Sequence, residues 1–147
     1  TLSLPSSLKV LPSFIMSVAS NNVSSSSVSS EDLMDIDQDS RSSESASFNH
    51  ICAGGCEDGS ILCYDLRSEK LITRFAETSA HHMAVRALCF LNGFDGNVLV
   101  SGSDDTTLKL YDMRMKAPIG AIGGHCSWIL SVASSFDARY FATGSSD

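Results

Sequence analysis

The hydrophobic positions of this chain fall into short runs that turn residues interrupt, instead of long stretches with helical spacing. In the segment TTLKLYD, Leu108 and Leu110 alternate with Lys109, which indicates a strand with one buried face and one solvated face. Asp, Gly and Ser in the segments EDGS and SDDT are the residues that tight hairpin turns favour. Short strands separated by turn signals about every 8–12 residues predict an antiparallel sheet.

These runs recur as a repeat with a long period. The segments ICAGGCEDGSILCYDLR, LVSGSDDTTLKLYDMR and FATGSSD superpose on Gly55, Gly102 and Gly144, with spacings of 47 and 42 residues. An aspartate follows each glycine by three residues, and Tyr-Asp ends the strand after it in the two complete copies. The runs FIMSVAS, AVRALCF and WILSVAS begin the units. Each unit therefore predicts four short strands that bury their faces by stacking on neighbouring units.

The glycine, the aspartate and the Tyr-Asp ending at this period resemble the WD-repeat family, whose units form the blades of a β-propeller. The resemblance implies an all-β fold, a partial propeller of about two and a half four-stranded antiparallel blades within residues 1–147. The blades would be 14–77, 84–124 and a truncated 128–147. Because the third unit stops at Asp147 and propellers have about 4–8 blades, we expect the chain to be part of a longer protein.

Some family positions differ in this sequence. The Trp-Asp of the family is Tyr-Asp in both complete copies. Its Gly-His is present as Gly124-His125, but it is replaced by Ala80-His81 in the second unit. The first unit has Leu11 where the family has histidine, so that unit departs most from the pattern.

A serine- and acid-rich segment, residues 21–47, interrupts the first predicted blade. It holds 11 serines in 27 residues, and its six carboxylates against one arginine give a net charge of −5. Little in it could offset the entropy of ordering, so we predict a disordered loop insertion. Acid-flanked Ser29 is a candidate phosphorylation site, and the run SSEDLMDID is a candidate docking motif. A merely solvated loop is the alternative interpretation. We expect the insertion at the same end of the blade as Arg67 and Arg114.

The resemblance also implies a structural hydrogen-bond network in each blade, made by a histidine, a hydroxyl residue, the turn aspartate and the strand-end aromatic. By position, the members are His81, Ser101, Asp105 and Tyr111 in the second unit, His125, Thr143 and Asp147 in the third, and Asp58 and Tyr64 in the first. Ser, His and Asp together could also form a nucleophilic triad. The set recurs in successive units, however, whereas a catalytic site occurs once, so we predict a stabilising role and no enzyme activity.

Three residues are candidates for contact with a partner. Trp128, the only tryptophan, begins a predicted strand and suits either packing or a protein-binding hot spot. Arg67 and Arg114 complete two Tyr-Asp-x-Arg boxes, which resemble the Asp-x-Arg box of WD-repeat substrate receptors in cullin-RING ubiquitin ligases. Plain surface arginines are the alternative interpretation.

Composition and charge weigh against several other functions. The five cysteines are odd in number, and most lie in apolar runs, which indicates reduced thiols in an intracellular protein of the cytoplasm or nucleus. A metal site at His50, Cys52 and Cys56 is an alternative. Zinc sites typically have two pairs of ligands, each pair separated by about two to four residues, and this segment does not show that pattern, so we expect no cofactor. The net charge of −7 leaves no basic footprint for nucleic acid. No apolar run approaches the roughly 20 residues of a membrane span.

One further resemblance bears on function. The segments LVSGSDDTTLKLYD, GGHCSWILSVA and FATGSSD are similar to the carboxy-terminal blades of the WD-repeat subunit of the Ski complex. That family supports exosome-linked RNA decay, and in many eukaryotes it also belongs to the Paf transcription-elongation complex. The resemblance implies a non-enzymatic scaffold whose partners are other proteins and not nucleic acid, membranes or small-molecule substrates. A substrate receptor of a cullin-RING ubiquitin ligase is the alternative.

Overall fold

The computed structural model describes residues 15–21, 50–91 and 97–147. Within these ranges the chain forms ten β-strands in three antiparallel sheets. The predictions for Leu11, Phe14, Ser29 and the serine-rich insertion lie outside the described residues. None of the helical turns in the described part of the chain is long and apolar enough to cross a membrane.

Each sheet is a meander in which consecutive strands are hydrogen-bonded neighbours. The first sheet contains β1 (Ile15–Ser20), β2 (Ile51–Cys56), β3 (Ile61–Asp65) and β4 (Lys70–Phe75). The second contains β5 (Val85–Leu91), β6 (Val98–Ser103), β7 (Leu108–Asp112) and β8 (Ala117–Ile122). The third pairs β9 (Ile129–Ser134) with β10 (Phe141–Ser145). The predicted all-β class, with four-stranded antiparallel sheets of a partial WD-repeat propeller, is confirmed.

Two hydrophobic cores hold the three sheets together. The first core lies between the first and second sheets and includes Ile61, Phe75, Leu99 and Tyr111. The second lies between the second and third sheets and is built around Val98, Val100, Leu108 and Ile129. Neighbouring residues of β6 thus alternate between the two cores, as the two-residue period of a strand requires.

The repeat glycine marks the place where two sheets approach most closely. A Cβ atom on Gly55 would lie 2.6 Å from Cγ1 of Val85, the first residue of β5. A Cβ atom on Gly102 would lie 2.6 Å from Cγ2 of Ile129, the first residue of β9. Real Cβ atoms essentially never come so close, so the spacing of these glycines follows from how one sheet stacks on the next.

The prediction of a solvated face for the strand that carries Lys109 is wrong. Leu108 faces the second core, but the opposite face of β7 packs on the first sheet and places fully buried Tyr111 in the first core. Lys109 is only partly exposed, and its ammonium group donates to the carbonyl of Ala80. At β7 the second sheet is packed on both faces, against the first sheet on one side and the third on the other, so neither face of this strand is fully solvated.

The residues that flank positions 22–49 are anchored to the first sheet. The backbone N–H of Asn21 donates to the carbonyl of Ile51 at 3.1 Å, and the Asn21 side-chain oxygen accepts from Ile51 N–H at 2.7 Å. On the other side, the carbonyl of His50 accepts from the N–H of Leu66 at 2.8 Å. The chain therefore leaves and rejoins the sheet beside the β3–β4 turn that carries Arg67.

Candidate functional site

The turn between β6 and β7 orients the aspartate at the centre of the predicted network. Thr107 donates to one oxygen of Asp105 from its N–H at 3.0 Å and from its hydroxyl at 2.6 Å. The N–H of His82 donates to the other oxygen at 3.1 Å. An aspartate whose side chain accepts from the residue two positions on is a common turn-forming device, which explains why this turn begins with Asp.

His81 links this aspartate to a serine on the neighbouring strand. Its Nδ1 lies 2.9 Å from the Asp105 carboxylate, and its Nε2 lies 2.6 Å from the hydroxyl oxygen of Ser101. Because the carboxylate can only accept, Nδ1 carries the proton, and Nε2 accepts from the serine hydroxyl. The side chain of His81 is 0% exposed and that of Asp105 is 9% exposed, so this network is sealed between the first two sheets.

Burial and hydrogen bonding set the charges in the network. Burial lowers the pKa of His81, and the negative charge of Asp105 opposes that shift only in part. Burial alone would raise the pKa of Asp105, but the donors Thr107 and His82, together with His81, lower it to about 2. A neutral imidazole beside an ionised carboxylate is the arrangement that these two shifts favour.

Tyr111, the predicted aromatic member of the network, bonds to the backbone of the loop that carries His81. Its hydroxyl donates to the carbonyl of Ser79 at 3.0 Å, on the loop between the first and second sheets. Its ring centre lies 4.3 Å from that of Phe75, with the planes tilted by 38°. Burial raises the pKa of Tyr111, and the nearby hydroxyl of Ser101 opposes this only in part. Tyr111 therefore joins two sheets.

The third unit repeats the arrangement at its own positions. Nε2 of His125 lies 2.8 Å from the hydroxyl of Thr143, and Nδ1 lies 3.2 Å from the carboxylate of Asp147. The N–H of Cys126 also donates to Asp147 at 2.7 Å. The side chains of His125 and Asp147 are 26% and 32% exposed, so this copy is less buried than the first.

In the first unit the turn aspartate is described, whereas Leu11 at the family's histidine position lies outside the described residues. Asp58 accepts from the N–H and the hydroxyl of Ser60, so the turn itself is formed as in the second unit. Gly54 stands at the hydroxyl position, and Tyr64 at the aromatic position is only half-buried. The turn of the first unit is therefore built by the same aspartate device as the turn of the second.

The alternative metal site is not assembled by the fold. Cys52 and Cys56 lie on the same strand, β2, and four residues of extended chain separate their Cα atoms by about 13 Å. Ligands of a single zinc ion need sulfur atoms about 2.3 Å from the metal, which this separation does not allow. Within the described ranges, no group of three or more His, Cys, Asp or Glu residues could hold a metal ion.

The repeat, the sheets and the recurring network are matched by a known family. The pattern of the WD domain, G-beta repeat, matches residues 71–112 and 116–147, together about half of the chain. The chain belongs to the WD40 family. The matched ranges contain both histidine networks of this WD40 chain, and they end at Asp147.

Curated WD40 relatives align with about two thirds of the chain. The LEC14B protein of Lithospermum erythrorhizon is 36% identical over 97 residues, which are 63% of this chain and 20% of that protein. The U3 small nucleolar RNA-associated protein 15 homolog of Xenopus laevis is 35% identical over 98 residues, 66% of this chain and 18% of the relative. DDB1- and CUL4-associated factor 10 of Xenopus tropicalis is 31% identical over 93 residues, which are 63% of this chain and 19% of that protein. The chain thus spans about a fifth of the length of these relatives.

The predicted partner residues of this WD40 chain lie at opposite ends of the sheets. We call one end the acidic end, formed by loop residues 57–60, 76–84, 104–107, 123–128 and 146–147. Trp128 lies there with 51% of its surface exposed. The other, the basic end, is formed by loop residues 66–69, 113–116 and 135–140. Arg67 and Arg114 lie there, and both are exposed. The backbone N–H of each arginine donates at 2.8 Å to the aspartate two residues before it, Asp65 or Asp112.

An ion pair at the acidic end was not predicted. Arg86 of β5 donates to both oxygens of Asp104, with distances of 2.8–3.0 Å. The Arg86 position holds Met16 in the first unit and Leu130 in the third, so the pair occurs in one unit only among the described residues. The hydrophobic alternation along one strand could not predict this ion pair, because Arg86 and Asp104 are brought together only by the register between β5 and β6. Thr107 was also missed, although its position two residues after an aspartate is a recognisable turn signal.

Acid should destabilise this WD40 fold in two stages. Above pH 6.5 His81 is neutral in both states, so its contribution to the free energy of unfolding is complete. Below pH 6.5 the unfolded chain binds a proton that the buried imidazole resists, because the folded pKa is lowered. Below pH 3.8 the same holds for Asp105, down to its folded pKa of about 2. Urea unfolding between pH 7.5 and 4.5 measures the first stage.

A His82→Gln variant is the control for this titration, because the exposed His82 bonds to the network through its backbone N–H, and its side chain affects the pKa of His81 less than burial and Asp105 do. It should keep most of the loss of stability that the unmodified protein shows between pH 7.5 and 4.5. An unfolding midpoint that stays constant or rises over this range would contradict the buried, neutral state of His81.

Proposed function

We propose that this chain is part of a non-enzymatic WD40 scaffold that binds other proteins in a multi-subunit complex. The observation that carries the proposal is the sealed environment of the Ser101–His81–Asp105 network. Its distances would suit a catalytic triad, but the side chains of Ser101 and His81 are completely buried. What the sheets present to solvent is loops at their two ends, and loops on a rigid scaffold are common protein-binding surfaces.

Among possible complexes, we favour one of the Ski or Paf type, in the nucleus or cytoplasm. The support is the sequence similarity of LVSGSDDTTLKLYD, GGHCSWILSVA and FATGSSD to the Ski-complex WD-repeat subunit. These segments cover β6, β7, β9 and β10, together with the β6–β7 turn and the loop that leads into β9. They therefore include His125, Thr143 and Asp147 of the third unit and Ser101, Asp105 and Tyr111 of the second, but not His81.

Affinity purification of the protein from its own cells, followed by mass spectrometry, tests this function. We expect stable co-purification of helicase or elongation-complex subunits and no hydrolytic activity that depends on Ser101. A Ser101→Ala variant should retain the same partners if it folds. Purification of cullin-ligase subunits in place of these proteins would reject the Ski or Paf assignment. Turnover of an ester or peptide that Ser101→Ala abolishes would reject the scaffold itself.

A second candidate, a substrate receptor of a cullin-RING ubiquitin ligase, has support of its own. The relative from Xenopus tropicalis is named as a DDB1- and CUL4-associated factor. In this chain Arg67 and Arg114 are exposed at the same end of successive sheets, each held beside a turn aspartate. Met113, between Asp112 and Arg114, is completely buried in the first core, so the box of the second sheet is rigidly mounted.

The double variant Arg67→Ala with Arg114→Ala tests the ligase alternative. If the boxes are used, binding to the cullin adaptor should weaken by at least about tenfold, the scale of a hot-spot loss. Arg139→Ala is the matched control, since Arg139 is exposed at the same basic end but belongs to no Tyr-Asp-x-Arg box. Unchanged adaptor binding in the double variant would exclude this mode of ligase assembly.

A further inference from the structure

The outermost strands of the two four-stranded sheets are equivalent in position but differ in charge. β4 and β8 each stand last in the order of their sheet, so each has one edge that pairs with no other strand of the described residues. Lys70 of β4 and Ala117 of β8 correspond, because each lies opposite the aspartate that ends the preceding strand. By the same register Arg74 of β4 corresponds to Ala121 of β8. Two basic residues on one edge are thus alanines on the other.

Charged side chains protect the edge of a sheet from pairing with another chain. An unpaired edge presents free N–H and C=O groups, and lysine or arginine on that edge opposes the approach of a further strand. On β4 both basic side chains are exposed, Arg74 although it pairs with Asp58 at 3.4 Å. A bulge lies at the same place in both strands, so it does not distinguish the two edges.

The edge of β8 lacks this protection over most of its length. The strand reads APIGAI and holds no charged residue. Pro118 has no N–H to donate, which restricts pairing at the start of the strand, but residues 119–122 carry no such restriction. An uncharged edge of this kind is available for the addition of a strand.

The same edge is open and apolar. Five of the six residues of β8 are exposed, including Ile119 at 57% and Ile122 at 43%. A Cβ atom on Gly120 or Gly123 would have nothing within 4 Å outside the neighbouring residues. Pairing with another strand would therefore remove apolar side chains from water and use the free backbone groups, and no side chain of the described residues has to move aside.

We propose that β8 pairs antiparallel with β8 of a second copy of this protein, so that the two second sheets join edge to edge. The lack of charge favours a second copy, because a twofold axis sets the side chains beside it against their own counterparts. An antiparallel β4 pair centred on Ile72 would set Lys70 against Arg74 of the other copy, and β8 avoids this repulsion. The contact occupies both free edges at once and closes the assembly at two copies.

The mass of the full-length protein, purified without other polypeptides, tests this pairing. Light scattering over a dilution series should show twice the mass of one polypeptide at micromolar concentrations, with dissociation on dilution. Because β8 carries no charge, raising the salt from about 0.1 M to about 0.5 M should leave the dimer intact. A protein that stays monomeric, or a dimer that the added salt dissociates, would overturn the proposal.

Transferring the basic residues of β4 to β8 locates the contact. The double variant Ala117→Lys with Ala121→Arg should weaken the dimer by at least about tenfold, since like charges would then face each other across the axis. Leu71→Arg is the matched control, because it adds a charge to the exposed edge of β4 and should leave the mass unchanged. Circular dichroism checks that both variants fold. A folded double variant that remains dimeric would place the contact elsewhere and reject the proposal.

Hydrogen exchange tests the same contact without any substitution. The amides of residues 119–122 should exchange more slowly at concentrations where the dimer forms than after dilution, whereas those of β4 should exchange at the same rate in both. Equal exchange at β8 in the two conditions would also reject the pairing. Neither measurement involves another protein, so a negative result leaves the scaffold function standing. Loss of the proposed complex would likewise leave the β8 contact standing.

Discussion

Replacing His81 with alanine should destabilise the protein by about 2–4 kcal/mol, the range for breaking a buried polar network. The imidazole is completely buried and bonds to Ser101 at 2.6 Å and Asp105 at 2.9 Å. Its removal leaves the buried hydroxyl of Ser101 without its closest partner, takes one of several donors from the nearly buried carboxylate of Asp105, and leaves a cavity between two sheets. Urea unfolding at pH 7.5 would measure the loss.

His125→Ala is the matched control for this substitution. It removes the same ring from the equivalent network, but His125 and Asp147 are 26% and 32% exposed, so water can replace the lost hydrogen bonds. We expect a clearly smaller loss of stability than for His81→Ala. Equal losses, or a neutral His81→Ala, would contradict the assignment of the His81 network as the buried tie between the first two sheets.

A second large effect is expected from Gly59→Ala. A Cβ atom there would lie 2.2 Å from the carbonyl oxygen of His81 and 3.0 Å from that of Met83, both backbone atoms. The carbonyl of Gly59 also accepts from the N–H of His81 at 3.1 Å, so the backbones of the turn and of the His81 loop are in direct contact. The added methyl group must push the loop outward and move His81, at a cost of about 3 kcal/mol or more.

The close approach, and not the backbone angle alone, makes glycine necessary at this turn. Gly59 has a φ of +84°, but Thr106 occupies the equivalent position of the next sheet with a φ of +69°. Gly120→Ala is the control, because nothing lies within 4 Å of the new Cβ in that edge strand. Thermal unfolding should show a large drop in Tm for Gly59→Ala and almost none for Gly120→Ala. Similar values for the two variants would contradict the contact between the turn and the His81 loop.

Local patterns in the sequence predict much of this fold because they have local causes. Asp58 and Asp105 form their turns with residues two positions away, so a short stretch carries the whole signal. The glycine repeat is also readable, although its reason, contact with Val85 or Ile129 of the next sheet, appears only in three dimensions. The positions of His81, Ser101 and Asp105 were predicted through the resemblance to the WD-repeat family, which implies such a network at matched positions.

Contacts between sheets explain what the sequence could not show. Alternation along β7 indicated a solvated face for Lys109, but a strand pattern alone does not reveal that a second sheet covers that face. The hydroxyl of Tyr111 bonds to Ser79, 32 residues away in the chain, through a backbone carbonyl that any residue type provides. Arg86 and Asp104 meet by strand register, and a single occurrence leaves no repeat to recognise. These contacts depend on how the sheets stack, which composition and periodicity leave open.

We propose above all that this chain is part of a protein that binds other proteins on a rigid WD40 framework, and that its buried Ser–His–Asp network is structural. The most direct test is the mass of the affinity-purified protein, measured by light scattering during gel filtration at physiological salt. We expect the protein to elute as a stable assembly whose mass exceeds that of the isolated protein and which includes other polypeptides in near-stoichiometric amounts. Elution as the isolated protein, with hydrolytic turnover that Ser101→Ala removes, would contradict it.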